Sequence, residues 1–141
     1  MGAKAAIGAL DEAAVMKLAD EGVHFDQTLP VQLTDELVGG AKVAQHAAAG
    51  SALALEDWAN LPSVLAYGAL YWDRVEKGLV SVAEAVAPAG EQNLVRLAVR
   101  ATTQGNQVAD ASLVHPRELG EKVDGRLRYE QVRSAVLGDE Q

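Results

Sequence analysis

The stretch LPSVLAYGALYWDRVEKGL, residues 61–79, decides how the chain is read. On a wheel of 100° per residue, Leu61, Leu65, Gly68, Trp72, Val75 and Leu79 fall within an arc of about 80°, with Val64 and Tyr71 on its border. Ser63, Ala66, Arg74 and Lys77 fall on the opposite side. Pro62, with φ already fixed near the helical value, suits the first turn, and Gly78 suits the end. The spacing therefore predicts an amphipathic helix over 61–79. Gly68 lies one turn from Trp72, so a partner helix could approach at the glycine and rest against the indole. Four of the six aromatic residues, Trp58, Tyr67, Tyr71 and Trp72, fall within fifteen positions and mark where the core is anchored.

The partner expected for that helix is residues 91–111, entered through a turn at 87–90. Leu94, Leu97, Ala98, Ala101, Gly105, Val108 and Ala109 occupy one arc, and Gln92, Arg96, Arg100, Thr103 and Gln107 the other. The small centre of this arc would accept the large side chains of the aromatic helix. One irregularity stands out: the polar run 102–107 combines Thr, Gly and Asn, poor helix formers, and reads as a kink.

Elsewhere Ile7, Leu10, Ala14 and Leu18 recur at helical spacing up to Gly22, and residues 23–33 read as a loop around Pro30 with one short extended segment at 29–33. Thr34 before Asp35 and Glu36 starts another predicted helix that closes at Gly50, although Gly39 and Gly40 each weaken it by about 1 kcal/mol relative to alanine. His115 with Pro116 reads as a helix entry, and Asp124 with Gly125 as a turn. Tyr129, Val132 and Val136 read as the buried side of a last helix ended by Gly138. The expected architecture is all-α: a single domain over 1–141, a bundle of five to seven helices with 61–79 and 91–111 as its central antiparallel pair, residues 1–8 and 138–141 frayed.

Composition narrows function mainly by exclusion. A formal charge of −8 and a pI near 4.8 argue against gripping phosphate backbones, so no direct nucleic-acid binding is expected. The charge is uneven: residues 1–60 hold nine acidic and three basic side chains, whereas 91–141 hold eight and seven, including six of the seven arginines. Without cysteine there can be no disulfide, thiolate metal site or thiol nucleophile. Leu10 runs into Asp11 and Glu12 where a signal-peptide core would have to continue, and no run approaches the roughly 18 apolar residues of a membrane span, which points to a cytoplasmic protein without a membrane partner.

Catalytic and metal patterns fall short. The serines show no nucleophile elbow, and Gly39-Gly40-Ala41-Lys42 lacks phosphate-loop spacing. Two calcium-loop comparisons fail because Val75 and Lys77, or Gly120 and Lys122, stand where oxygen ligands are needed. A lone Glu21-x-x-His24 cannot build a di-iron site. His24 and Asp26 with Glu56 or Asp57 is the one mononuclear arrangement to weigh, and it reads instead as a solvated loop. Asp73 and Glu76 could in principle exchange protons but read as a solvated face with Arg74 and Lys77.

No catalytic residue, cofactor or metal is therefore expected, and an enzyme is the less favoured outcome. The expected function is a non-catalytic interaction or assembly subunit that self-associates or docks on a protein partner. The alternative is a small-molecule binding protein or small enzyme with an aromatic-lined pocket. In either case the candidate ligand or partner surface comprises Tyr67, Leu70, Tyr71, Trp72, Trp58 and His24.

Overall fold

Valine and leucine at 95, 97 and 99 alternate with arginine and alanine at 96, 98 and 100, and that period of two, set in β-branched residues, makes residues 94–102 a strand. A computed structural model of the chain describes residues 4–23, 30–34, 50–102 and 105–136. The elements run β1 (Lys4–Ala9), α1 (Glu12–Asp20), β2 (Pro30–Thr34), α2 (Leu55–Ala59), α3 (Leu61–Tyr67), β3 (Ala69–Asp73), β4 (Gly78–Glu84), β5 (Leu94–Thr102) and β6 (Gly105–Val114). A 3₁₀ turn (Pro116–Gly120), β7 (Lys122–Val123), β8 (Arg126–Leu127) and β9 (Tyr129–Arg133) follow. Seven strands form one sheet in the order β1-β2-β6-β5-β4-β3-β9, and β7 and β8 pair separately. Every neighbouring pair in the large sheet is antiparallel except β2 with β6, where Val31 faces Asn106 in parallel register.

This overturns the all-α bundle. The 61–79 segment is helical only to Tyr67. At Gly68 the chain turns extended, runs out as β3, reverses through residues 74–77 and returns as β4. The 91–111 segment holds β5 and most of β6, paired antiparallel with Thr102 opposite Gly105, so the described residues of the polar run, 102 and 105–107, are strand and not a helix kink. The two segments meet as strands β4 and β5, with Leu79 opposite Val99. Residues 7–18 divide into the end of β1 and most of α1, and Asp11 caps the helix by accepting from the Ala14 amide at 2.9 Å. The last predicted helix is β9. The helix expected from Thr34 to Gly50 falls mostly outside the described residues; Thr34 itself ends β2, whose first four residues, 30–33, belong to the segment expected to be extended.

The reason for the change is burial on both faces. In β4 Leu79, Val80, Ser81 and Val82 are all buried, so the alternation that would announce a half-buried strand is erased. On one face, Leu79, Val95, Leu97, Val99 and Trp72 pack with Leu61, Val64 and Leu65 of α3 and Ala14 and Leu18 of α1. This is the main core. On the other face a smaller cluster holds Val80, Val82 and Tyr129, edged by Tyr71, Leu94, Ala98 and Leu119.

Candidate functional site

The second face of the sheet carries the unusual chemistry. Counting by twos along each strand brings Tyr71 and Asp73 of β3, Val80 and Val82 of β4, Leu94, Arg96, Ala98 and Arg100 of β5, and Asp110, Ser112 and Val114 of β6 to this side, with Tyr129 of β9 opposite Asp73. Asp73 is fully buried and accepts five hydrogen bonds. Its Oδ1 takes the amides of Val75 at 2.9 Å and Glu76 at 3.2 Å and Arg128 Nε at 3.0 Å. Its Oδ2 takes Arg128 Nη2 at 3.0 Å and Arg96 Nη2 at 3.1 Å.

Burial pushes the Asp73 carboxyl up, but the Arg128 guanidinium, the Glu76 and Val75 amides and the Arg128 charge outweigh it, so the group is held below the usual carboxylate range. Arg128 is shifted up by its bond to Asp73 and stays charged. Both guanidiniums also lie over the Tyr129 ring, at 5.7 Å for Arg96 and 5.0 Å for Arg128, and Arg96 Nε donates to the Tyr129 hydroxyl at 3.2 Å. Tyr71 meets Tyr129 edge to face with centroids 6.4 Å apart.

Arg74 fixes the roof beside this cluster. Its Nε donates to the Leu127 carbonyl at 2.7 Å and its Nη2 to the Val123 and Arg126 carbonyls at 3.0 and 3.2 Å, clamping the β7–β8 hairpin to the β3–β4 turn. The hairpin reverses at Asp124 and Gly125, with φ of 54° and 78°, the conformation of a tight type I′ turn. The 3₁₀ turn is capped by His115, whose Nδ1 accepts from the Arg117 amide while Glu118 accepts from the His115 amide.

Two chambers open on this face, at opposite sides of the Val80, Val82 and Tyr129 cluster. The charged chamber has a volume of about 370 Å³ and is lined by Arg96, Arg100, Arg128, Asp110, Ser112 and Glu118 around Asp73. The apolar one, of about 520 Å³, is lined by Tyr67, Tyr71, Val82, Leu94, Leu119 and Val136 among others. Both lie in the size range of small-molecule sites. Glu118 of the 3₁₀ turn belongs to the first and Leu119 to the second, so this short element stands between them.

Of the residues singled out in sequence, Tyr67 and Tyr71 line the apolar chamber. Leu70 and Trp72 alternate to the opposite face and are buried in the main core, and Trp58 packs half-buried against that core. His24 lies outside the described residues. Asp57, weighed as its metal-ligating neighbour, is buried with Oδ1 accepting from the Val86 amide at 2.7 Å, a loop clamp. Among the described residues, no three His, Asp or Glu side chains gather as a metal site. Asp73 is not part of a solvated face.

Sequence reading did not single out Arg96, Arg128, Tyr129 or Ser112 as site residues. The available signal was an aspartate inside an apolar run, which in a strand must be buried and so must find cations. Among the described residues no helix is long and apolar enough to cross a membrane. No protein-family model matches the chain, and no curated protein or solved structure shows significant similarity to it.

Proposed function

We propose that the protein is a non-catalytic small-molecule binding protein whose ligand occupies the second face of the sheet. The observation that carries the reading is the adjoining pair of chambers, one apolar and tyrosine-edged, the other floored by buried charge. The assembly reading leaned on a closely packed pair of long helices, whereas 61–79 is helix only to Tyr67 and strand beyond it, and 94–102 is strand. A fully hydrogen-bonded Asp73 is preorganised but has no free lone pair to offer as a base, which favours holding a ligand over transforming it.

Titration of the full chain with an apolar naphthalene-type dye tests this. Saturable one-to-one binding, lost in Ala69→Trp, which fills the apolar chamber, is the expected result. Dye binding that never saturates, or that survives the plug, would remove the reading. A second reading draws on Tyr67 and Val136, which are 52% and 43% exposed at the rim of that chamber and could meet a second copy. Sedimentation equilibrium separates the two: a dimer dispersed by Tyr67→Glu supports pairing, and a monomer at every concentration leaves the ligand reading alone.

A further inference from the structure

Arg96 leaves one nitrogen uncommitted. Its Nε serves Tyr129 and its Nη2 serves Asp73, while among the described residues Nη1 has no acceptor. Directly across the β5–β6 ladder stands Ser112, only 5% exposed, whose hydroxyl likewise has no hydrogen-bond partner among the described residues. Two donors from neighbouring strands thus converge on the charged chamber.

Charge points the same way. Arg128 takes both oxygens of Asp73 and has Glu121 at 3.6 Å besides, so Arg96 shares a carboxylate already neutralised by another cation. Arg96, half-buried and with a donor to spare, is therefore the group on this floor that can take an anionic guest. Asp110 and Glu118 line the same chamber and disfavour a doubly charged one. Two residues back along β5, about 7 Å away on the same face, Leu94 belongs to the apolar chamber. The same step leads from Asp73 to Tyr71 and from Val80 to Val82.

Resting on the ligand-binding reading above, we propose that the ligand is a small amphiphilic monocarboxylate. Its headgroup accepts from Arg96 Nη1 and Ser112 Oγ, and its hydrocarbon part lies over Leu94 between Tyr67, Tyr71 and Val136.

Octanoate, octanol and octylammonium titrated into the full chain, followed by amide and arginine side-chain NMR, distinguish the outcomes. Octanoate is expected to saturate, moving the Arg96 Nε–H and Leu94 amide signals, and to bind at least about tenfold more tightly than octanol. Ser112→Val, which leaves the Asp73 cluster intact, should weaken octanoate about tenfold and leave octanol unchanged, the octanol result doubling as a check on folding. Equal binding of octanoate and octanol, or octanoate indifferent to Ser112→Val, overturns the headgroup assignment while the ligand reading stands. Tighter octylammonium overturns it in favour of the Asp110 and Glu118 carboxylates. If none of the three binds, both readings fall.

Discussion

Asp73 and Gly68 show how much one position can carry. Replacing the Asp73 carboxylate with an amide keeps its shape but turns an NH₂ group toward the Arg96 and Arg128 donors, leaving Arg96 without a counter-charge and Arg128 with only the exposed Glu121. Asp73→Asn is therefore expected to cost about 3 to 5 kcal/mol by denaturant unfolding. The pH dependence follows from the sign of the shift. Because the folded carboxyl sits below its unfolded value of about 3.9, the stabilisation is complete above that value and is lost as pH falls through the folded one. The parent should lose stability faster than Asp73→Asn below about pH 4, and parallel curves would show that another carboxylate governs acid unfolding. At Gly68 backbone conformation is no obstacle, since φ is −68°, but space is. A Cβ there would stand 2.5 Å from the Val64 carbonyl oxygen, 2.6 Å from Ser81 Oγ and 2.8 Å from the Val82 carbonyl oxygen. Ser81 itself donates to Val64 O at 2.5 Å, so that hydroxyl cannot swing away without losing its bond. Gly68→Ala should cost about 1 to 3 kcal/mol in thermal or chemical unfolding. The sequence does mark this glycine as a site of close approach; the neighbour is the adjacent strand and helix end, not a second helix.

At the scale of elements, the β3–β4 turn invites an improvement. Lys77 adopts φ of 59°, where a side chain crowds the carbonyl and glycine does not. Its amide still closes the turn on the Asp73 carbonyl at 2.9 Å, a bond glycine retains. Lys77→Gly is expected to raise stability by up to about 1 kcal/mol, read as a higher denaturant midpoint with unchanged slope. Ambiguous spacing explains why the strands were hidden. Arg96 and Arg100 are four residues apart, a spacing that shares a face on a helix and on a strand alike, and the doubly buried run of β4 supplies apolar residues wherever a helical template looks for them. What favoured strands was the alternation of Val95, Leu97 and Val99 and the break at 102–105. Local signals fared better where chemistry is local: the His115 cap and the Asp124-Gly125 reversal were both legible because a cap and a positive φ depend on few neighbours. The charged cluster was not, since Asp73, Arg96 and Arg128 meet only after strand pairing brings them together across 23 and 55 positions of chain.

Over the whole molecule, one ion pair ties the two ends of the sheet together. Strands β1 and β9 are its two edges, yet α3 packs against β1 at one side and reaches β4 and β5 in the middle. The carbonyls of Leu65 and Gly68 at its end accept from Arg133 of β9, at 3.3 and 2.8 Å. The same guanidinium pairs with Asp11, the residue that caps α1 just after β1. Lys17 of α1 adds a second tie to β9 through Glu130 at 2.8 Å, and that bond raises the lysine's pKa. It is partly exposed and is expected to contribute little, with any gain present below the unfolded lysine value of about 10.4 and lost as pH rises through the folded one. Arg133 is different because its loss strands two carbonyls and one carboxylate together. Arg133→Ala should cost roughly 2 to 3 kcal/mol, while Asp11→Ala, which also removes a helix cap, should cost about 1 to 2. The double variant tests the tie: if the two residues act as a pair, the combined loss falls short of the sum by about 1 kcal/mol. Additive losses would mean that helix cap and helix end are held independently. Freed edge strands are open to pairing with other chains, so Arg133→Ala is also expected to aggregate on mild heating at concentrations where the parent stays clear in light scattering.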